Sequence, residues 1–480
     1  MRLSSHLYLL VIVMVTVATG CTTFHARPIF PLQTASAFEA RTLDNPGLKA
    51  FLEENLHRKI VPWPPASWDF ERLTLAALYY HPDLDVARVK WEIARAGKIT
   101  AGGRPNPNLG LISQYNTTET TVTGVSPWIL GLNLDIPIET AGKRGYRIAR
   151  AEQLSEAARL DIATVAWRVR TRLRENLLNL YAADQELPVL EKKEAIEEEN
   201  VGLLEERLAV GEASQPDVTQ AHIALDQTHL SLLELQKQAA EARVRLAESL
   251  GMSVAALDSL HLSFDVLERS LPGIPSQDIR RQALLNRTAI RSSLAEYAAS
   301  QSALQLEIAK QYPDIHLGPG YTWDQGNNKW SLGFSIELPI LNQNQGPIAE
   351  AEARRKEAAA RFTALQAGVI GEIDRTLAGY RVALQQWKTA EALLSDRKDQ
   401  LQTLETLFEI GETDRLALFS ARLELISAEL AGLNTRIKVQ QSLGLLEDAV
   451  QRPLNETEPS LPIPEMNPRA KEERSSNDEK

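Results

Sequence analysis

The segment Pro127–Ile138, PWILGLNLDIPI, decides the fold because the chain contains it twice. The second copy, Lys329–Ile340, is KWSLGFSIELPI, and Trp128 and Trp330 stand 202 positions apart. Apolar and polar residues alternate in both copies, and a period of two over about ten residues predicts a β-strand with one apolar face. About ten residues is also the length of a tilted membrane-spanning strand. An ordinary half-buried strand has the same pattern, so this segment alone leaves both interpretations open.

The same alternation assigns each side chain to one of two faces. We expect the apolar face to contact lipid and the polar face to line water. The predicted lipid-facing residues are Trp128, Leu130, Leu132, Leu134, Trp330, Leu332, Phe334 and Ile336. The predicted water-facing residues are Asn133, Asp135, Ser335 and Glu337. Trp128, Trp323 and Trp330 stand at the loop ends of their hairpins, where an aromatic girdle meets the membrane–water interface.

Each copy of the strand belongs to a larger unit of helix, strand, strand, long helix, turn and helix. In the first unit we expect a helix over 73–100, a strand over 108–117 and a polar loop at 118–124 before the opening strand. A long helix then runs to about residue 210, and Pro188 should kink or break it. Gly211 ends that helix as a C-terminal cap, and Ser214 with Asp217 predicts a capping box for the next one.

The second unit repeats this order after a proline-rich linker at 271–275. We expect a helix over 277–311, a strand over 313–323, a turn at 324–328, a long helix over 347–410 closed by Gly411, and a last helix over 414–450. In both last helices, from Val218 and from Leu418, apolar residues recur at alternating steps of three and four, which favours coiled-coil packing. The sequence therefore predicts two repeats, 71–270 and 276–450.

Two strands per repeat give four strands in one chain. Four strands cannot close a barrel, because the smallest membrane barrels have about eight. If these strands lie in a membrane, several chains must pool them. Three chains would supply twelve strands and a ring of twelve helices.

The two ends of the chain have compositions of their own. Arg2 and the apolar stretch Leu7–Val17 read as a secretory signal peptide over 1–20, too short to span a bilayer. Small residues precede Cys21, the one cysteine of the chain, and Ala18–Cys21 resembles the lipobox of bacterial lipoproteins. The resemblance implies cleavage before Cys21 and lipidation of its side chain. A plain secretory signal is the alternative. We expect an extended leader over 21–70 and a disordered tail over 451–480.

The composition excludes several classes of protein. The net charge of −11 argues against a nucleic-acid partner, because phosphate binding needs clustered Lys and Arg. The sequence contains no phosphate-binding glycine loop, no GxSxG and no HExxH, so we expect neither an enzyme nor a cofactor. His222 and His229 stand seven apart on one helical face, and we interpret them as a surface pair and not as a metal site.

The turns between the paired helices carry two related motifs. The first is RLAVGEASQPDVTQA at Arg207–Ala221, and the second is LFEIGETDRLALFSA at Leu407–Ala421. Together with the duplicated hairpins and the coiled-coil pairs, these turns resemble the outer-membrane efflux protein family, the TolC-like channel proteins. The resemblance covers roughly residues 70 to 450.

The resemblance implies a mainly α-helical fold with a β membrane part: a homotrimer with an α-helical tunnel on a twelve-stranded β-barrel. It implies an outer-membrane location and a passive exit duct of a tripartite efflux system. The turns would dock a periplasmic membrane-fusion adaptor, and an inner-membrane pump, of the resistance-nodulation-division type, would supply the energy. The residues that fit the docking pattern are Arg207, Leu208, Gly211, Ser214, Asp217, Gly411, Thr413 and Leu418. Leu407 departs from it, because Arg207 stands there in the first copy.

The family's best-studied members close the tunnel with aspartates six and nine residues beyond the second tip glycine. This chain has Ala417 and Ser420 there, so Glu412 and Asp414 are its candidates for a constriction; both could equally be solvated turn acids. The lipobox and the segment IPIETAGKR at 136–144 look more like the heavy-metal and small-molecule efflux subgroup than the protein-secretion subgroup.

Two other functions stay open at this point. The chain could be the exit duct of a type I protein secretion system, and genomic neighbours would separate that function from efflux. It could also be a periplasmic coiled-coil scaffold lipoprotein without a channel. The alternating hairpins count against the scaffold.

Overall fold

The computed structural model describes residues 22–117, 125–258, 260–269, 273 and 278–454. The predicted signal peptide, Cys21, the loop at 118–124, most of the linker at 271–275 and residues 455–480 of the predicted tail lie outside these ranges. The chain divides into two compact units between Thr42 and Leu43. In the N-terminal compact unit, helix α1 spans Pro31–Glu39. Proline stands at its first position, where a missing N–H costs nothing.

The segment predicted as an extended leader contains helices instead. Besides α1, helix α2 spans Pro46–Leu56, and the Asn45 side chain caps it by accepting from the backbone N–H groups of residues 47 and 48. Leu48, Phe51 and Leu52 of α2 are buried in the main core. An Asn cap followed by proline at the first helical position is a helix-start signal, and the sequence interpretation overlooked it.

The single helix predicted over 73–100 is two helices, α3 at Phe70–Tyr80 and α4 at Pro82–Gly102. Pro82 has no N–H to continue the first helix, so the chain breaks at His81. His81 is buried, and its Nδ1 accepts a hydrogen bond of 3.2 Å from the backbone N–H of Asp83. Its side chain is therefore the N-terminal cap of α4.

Four antiparallel strands form one sheet in the order β1-β2-β3-β4. The strands are β1 at Asn108–Tyr115, β2 at Trp128–Ile138, β3 at Ile315–Asp324 and β4 at Asn327–Ile336. The turn between β3 and β4 is only two residues long, Gln325 and Gly326, and both have positive φ, 52° and 105°. Such a turn matches the twist of the flanking strands, so β4 begins two residues before the predicted Lys329.

Helix α5 spans Lys143–Ala209 without interruption, and α6 spans Gln215–Leu250. Of the kink or break expected at Pro188, the break is wrong, because the 67-residue helix passes through it; the kink stays a prediction. Pro188 is exposed, so its ring faces solvent. At about 1.5 Å per residue, α5 is about 100 Å long.

The second repeat has the same order of elements. A short helix α7 at Asp265–Glu268 precedes α8 at Asp278–Asn286 and α9 at Thr288–Ala309. The helix predicted over 277–311 is thus interrupted at Arg287, whose φ of −58° and ψ of 125° are not helical. The long helix α10 spans Gln345–Glu409, and α11 spans Arg415–Val450. None of the helices in the described ranges is long and apolar enough to cross a membrane.

Helix α5 is the centre of the helical part, with α4, α6, α9 and α11 packed along it. The main core combines α2, α3, α5 and α6. The predicted coiled-coil positions lie in this packing: Val218, Ala221, Leu232 and Leu246 are buried, as is Leu418 in the second repeat. The heptad pattern therefore identified the correct face of both last helices.

Candidate channel wall and hairpin tips

The register of the sheet combines the four strand patterns into one apolar face. Leu111 lies opposite Leu132, Leu132 opposite Tyr321, and Tyr321 opposite Trp330. Residues directly opposite each other point to the same side of a sheet, so all eight predicted lipid-facing residues lie on one face. The same face also carries Leu109, Tyr115, Ile136, Leu317 and Trp323. Trp330, Leu332 and Phe334 are 83%, 64% and 73% exposed in the single chain.

Aromatic rings gather at the hairpin end of this apolar face. The rings of Tyr115 and Trp128 are 5.0 Å apart, and those of Tyr321 and Trp330 are 4.9 Å apart. Trp323 lies opposite Leu130 on the same face. Three of these five residues were predicted for an aromatic girdle; the two tyrosines were missed, because their positions depend on the cross-strand register.

The opposite face of the sheet is polar and rich in glycine. Asn133 lies opposite Gly110 and Gly320, and its side chain covers Gly110: a Cβ at that glycine would stand 2.2 Å from Asn133 Oδ1. Asp135 Oδ1 and His316 Nδ1 form a hydrogen-bonded pair of 2.9 Å across β2 and β3. Ser335 lies on this face too, whereas Glu337 lies beyond the end of β4. A surface of this kind can line water.

The first hairpin tip is the turn between the two paired helices α5 and α6, at the end far from the sheet. Gly211 has φ +82°, and the backbone N–H of Glu212 bonds back to the carbonyl of Arg207 at 2.8 Å. Ser214 and Asp217 form the predicted capping box. The Ser214 hydroxyl donates to the Asp217 carboxylate at 2.6 Å, and this hydrogen bond holds the pKa of Asp217 below its usual value.

The second tip repeats this geometry between α10 and α11. Gly411 has φ +78°, and the N–H of Glu412 bonds back to the carbonyl of Leu407 at 2.9 Å. Asp414, a candidate for the constriction, caps α11 by accepting from the N–H of Ala417 at 2.8 Å. Glu412 is exposed, and Thr413 is half-buried. Leu418, predicted for docking, is buried, so its side chain belongs to the packing of the tip.

The two tips contact each other. Leu208 and Leu416 both pack against a small apolar cluster of Val201, Leu204, Val218 and Ala221. Arg415 at the start of α11 forms an ion pair of 2.6 Å with Glu199 on α5. The two predicted docking motifs therefore form one continuous end of the helical part, which their separation by 200 residues did not show.

His222 and His229 on α6 each pair with a carboxylate on α5. His222 Nε2 lies 2.9 Å from Glu205, and His229 Nδ1 lies 2.9 Å from Glu194. Both histidines are exposed, as the sequence interpretation expected. Within the described ranges, no group of three or more His, Cys, Asp or Glu side chains is arranged to hold a metal ion.

A one-sided apolar sheet joined to long paired helices defines a class of protein with a membrane part and a long helical part. Residues 74–252 and 279–450 match the family described as Outer membrane efflux protein. The chain therefore belongs to the outer membrane efflux protein family, and it is the outer-membrane channel component of an efflux system.

Individual relatives agree with this placement. The chain is 23% identical over 373 residues to the cobalt-zinc-cadmium resistance protein CzcC of Cupriavidus metallidurans, covering 77% of this chain and 87% of that protein. It is 25% identical over 410 residues to the pyoverdine export outer membrane protein OpmQ of Pseudomonas aeruginosa, covering 78% and 85%. The crystal structure of the outer membrane protein VceC from Vibrio cholerae shares the fold, with a TM-score of 0.65 at 20% identity over 80% of this chain and 97% of that one.

Proposed function

We propose that this chain is the passive exit duct of a tripartite efflux system and works as a homotrimer. The observation that carries the proposal is the sheet. It has four strands, one continuous apolar face and one polar face, and it is too small to close. Three copies would supply twelve strands, enough for a barrel in the outer membrane with the apolar face toward lipid. The repeats 71–270 and 276–450 are the units of this assembly.

The hairpin tips are the proposed docking site for a periplasmic membrane-fusion adaptor. Both tips lie at the end of helices that are about 65 residues long, so they stand about 100 Å from the strands by helix rise. The exposed apolar residues Val210 and Ile410, 71% and 63% accessible, follow the last helical turn at each tip. Such side chains at the far end of a long helix suit a partner surface. An inner-membrane pump of the resistance-nodulation-division type would supply the energy through that adaptor.

Cys21 is the proposed lipid attachment site. It lies outside the described residues, and the proposal rests on the small residues before it and on its position after the apolar signal segment. Thr22 follows in place of an acidic residue, which favours sorting to the outer membrane. The lipid would then hold the start of the mature chain at the same membrane as the strands.

Divalent metal cations are the cargo that we favour, and small organic molecules are the second candidate. The Asp135–His316 pair on the polar face offers a carboxylate and an imidazole, groups that interact with cobalt, zinc and cadmium ions. A pair of ligands binds weakly, and a duct needs weak contacts so that its cargo leaves. The named relatives include both a metal resistance protein and an exporter of an organic molecule.

The resistance profile of a deletion strain tests the cargo. We expect the strain to become sensitive to cobalt, zinc or cadmium salts, and a plasmid copy of the full chain to restore resistance. Sensitivity to organic compounds alone would favour the second candidate. Loss of a secreted protein with unchanged resistance would favour type I secretion. An unchanged phenotype, with no adaptor recovered by cross-linking in cells, would favour the scaffold lipoprotein.

A further inference from the structure

His316 on β3 and Asp135 on β2 form a side-chain pair on the polar face of the sheet. Asp135 Oδ1 and His316 Nδ1 are 2.9 Å apart, and both side chains are 40% exposed. Pro137 is the residue of β2 directly opposite His316, so Asp135 reaches the ring from the diagonal position. The carboxylate therefore contacts one ring nitrogen, Nδ1, and the other nitrogen, Nε2, has a different surrounding.

The hydrogen bond to Asp135 determines which nitrogen of His316 can bind a cation. An ionised carboxylate has no proton to donate, so the ring donates from Nδ1 to Asp135. In the neutral ring Nε2 then carries the free lone pair. Histidine ligands of metal ions have this arrangement, in which one nitrogen binds the metal and the other donates to a carboxylate. Asp135 thus holds His316 in the tautomer that a transition metal requires.

The neighbours of His316 on the polar face are small. Ser335 of β4 lies directly opposite His316. Gly318 is the next residue of β3 on this face, and it lies opposite Gly333. Because neither glycine has a side chain that could cover the ring, the imidazole stays accessible from the proposed passage. The Ser335 hydroxyl adds an oxygen to the same row of the sheet.

The charges of the polar face favour a cation beside His316. The ionisable residues on this face of the described strands are Asp135, His316, Asp324 and Lys329. Lys329 pairs with Asp324 at the hairpin end, so these two charges cancel. Asp135 pairs with the neutral ring, and its negative charge therefore remains. Glu337, two residues beyond Ser335, is exposed and adds a second negative charge near this end of the sheet.

We propose that His316 Nε2 is a contact site for transition-metal cations on the wall of the duct, with Asp135 as its positioning residue. Zinc ions bind imidazole nitrogen, whereas magnesium prefers oxygen ligands and keeps most of its waters. A single nitrogen with water completing the coordination holds a cation weakly, so the cargo can leave. This inference rests on the proposed duct and specifies where its favoured cargo is recognised.

A second histidine of the chain provides a matched control for His316. His229 on α6 also bonds through Nδ1, at 2.9 Å to the Glu194 carboxylate, and its side chain is 61% exposed. His222 bonds through Nε2 instead, so its pair has the opposite arrangement. His229 therefore has the chemistry proposed for His316 but lies on a helix and not on the sheet. Comparing the two tests whether the polar face is what matters.

The current through the purified full chain in a planar lipid bilayer tests the contact site. Potassium chloride carries the current, zinc chloride is the probe, and magnesium chloride is the control cation that prefers oxygen ligands. Zinc should reduce the potassium current reversibly, because a bound cation repels the cations that follow it. Magnesium at the same concentration should reduce it less. The current of each variant with zinc is divided by its own current without zinc.

His316→Gln should lose the zinc block, because glutamine is polar but has no ring nitrogen to bind the cation. Asp135→Asn keeps the shape but removes the carboxylate that orients the ring, and it should raise the zinc concentration of half block roughly tenfold or more. Asp135→Glu returns a carboxylate to this position and should recover part of the block. His229→Gln should be blocked by zinc like the unchanged chain.

A zinc block that survives in His316→Gln, or that is lost in His229→Gln alone, overturns the contact site. The absence of any zinc block in a chain that conducts potassium overturns it too. If Asp135→Asn weakens the block by zinc and by magnesium to the same factor, Asp135 acts only through its charge, and its positioning role is overturned. A chain that conducts no potassium in any variant contradicts the proposed duct itself, which separates that failure from a failure of the site.

Discussion

Arg170 on α5 and Glu447 on α11 form a buried ion pair of 3.3 Å that joins the first repeat to the second. Arg174 extends it by donating to the backbone carbonyl and the side chain of Gln440, at 2.8 and 2.9 Å. The Gln440 amide donates in turn to the carbonyl of Leu267. Burial and the nearby charge of Glu447 raise the pKa of Tyr380 to about 12. The repeats are thus held together by charged and polar groups inside an apolar packing.

Glu447→Ala should therefore destabilise the chain strongly. Removing one partner leaves two buried guanidinium groups without their carboxylate, and such changes cost about 3–5 kcal/mol. The control is Glu424→Ala, which removes an exposed ion pair with Arg397 and should cost about 0–1 kcal/mol. Urea unfolding followed by the helical signal measures both variants. If both variants lose the same free energy of unfolding, the buried ion pair has no special role.

His81 should make stability depend on pH. Burial lowers the pKa of His81 below 6.5, Arg172 lowers it further, and Asp83, Glu248 and Asp85 raise it. The folded chain therefore favours the neutral His81 ring. The stability that the neutral ring contributes to the folded chain is fully present above pH 6.5, and it is lost as the pH falls toward the lower pKa of the folded state.

The measurement for His81 is the melting temperature between about pH 5 and 8. His81→Asn keeps a capping acceptor for α4 but cannot titrate, so its curve should be flatter than that of the unchanged chain. Parallel curves for the unchanged chain and His81→Asn would rule out His81 as the titrating group.

The two faces of β2 should respond differently to charge. Leu132→Arg places a guanidinium on the apolar face and should cost about 2–4 kcal/mol near the bilayer middle. Asn133→Arg places it on the polar face and should be mild. The amount of each variant assembled in the outer membrane measures the difference. Labelling of single cysteines with a water-soluble maleimide provides the check: if position 132 reacts and position 133 does not, the faces are reversed.

Gly211→Val and Gly411→Val should leave the trimer in the outer membrane but abolish export. Both glycines have positive φ, and a side chain in that conformation costs about 1–2 kcal/mol, although neither site has another atom within 4 Å of a new Cβ. The strain is thus confined to the tips, where the adaptor is expected to dock. The measurement is cross-linking to the adaptor together with heat stability of the trimer.

Gly202→Val is the matched control for the tips, because Gly202 lies in the same long helix, is equally open and has no positive φ. It should retain export. If the tip variants keep normal adaptor cross-linking while the trimer collapses, the glycines act as helix caps only, and the docking role has no support.

Cys21→Ser should leave an unprocessed or mis-sorted precursor. The proposed lipid would be attached to the cysteine sulfur, and serine offers no thiol for it. Labelling of growing cells with radioactive palmitate decides the question, with the unchanged chain as the positive control. A mature chain that begins at another residue and carries no label would rule out the lipid anchor.

The sequence by itself determined the duplication, the faces of the strands and the coiled-coil seams. These follow from local periodicity, because a strand with alternating residues or a helix with a heptad stripe has one face it must cover. It also predicted the Ser214–Asp217 capping box and the glycines of both tips, where neighbouring residues settle the geometry. It allowed a break at Pro188 that the structure does not have, and it missed the break at His81, because whether a proline interrupts a helix depends on what surrounds it.

Only the tertiary structure decided how these pieces meet. The β2–β3 pairing, the ion pair of Arg170 with Glu447 and the contact between the two tips join residues that are far apart in the chain. Periodicity carries no information about such partners, because a heptad or an alternating strand is complementary to many others. Cross-strand register and side-chain packing select one partner among them, and that selection exists only once the chain is folded.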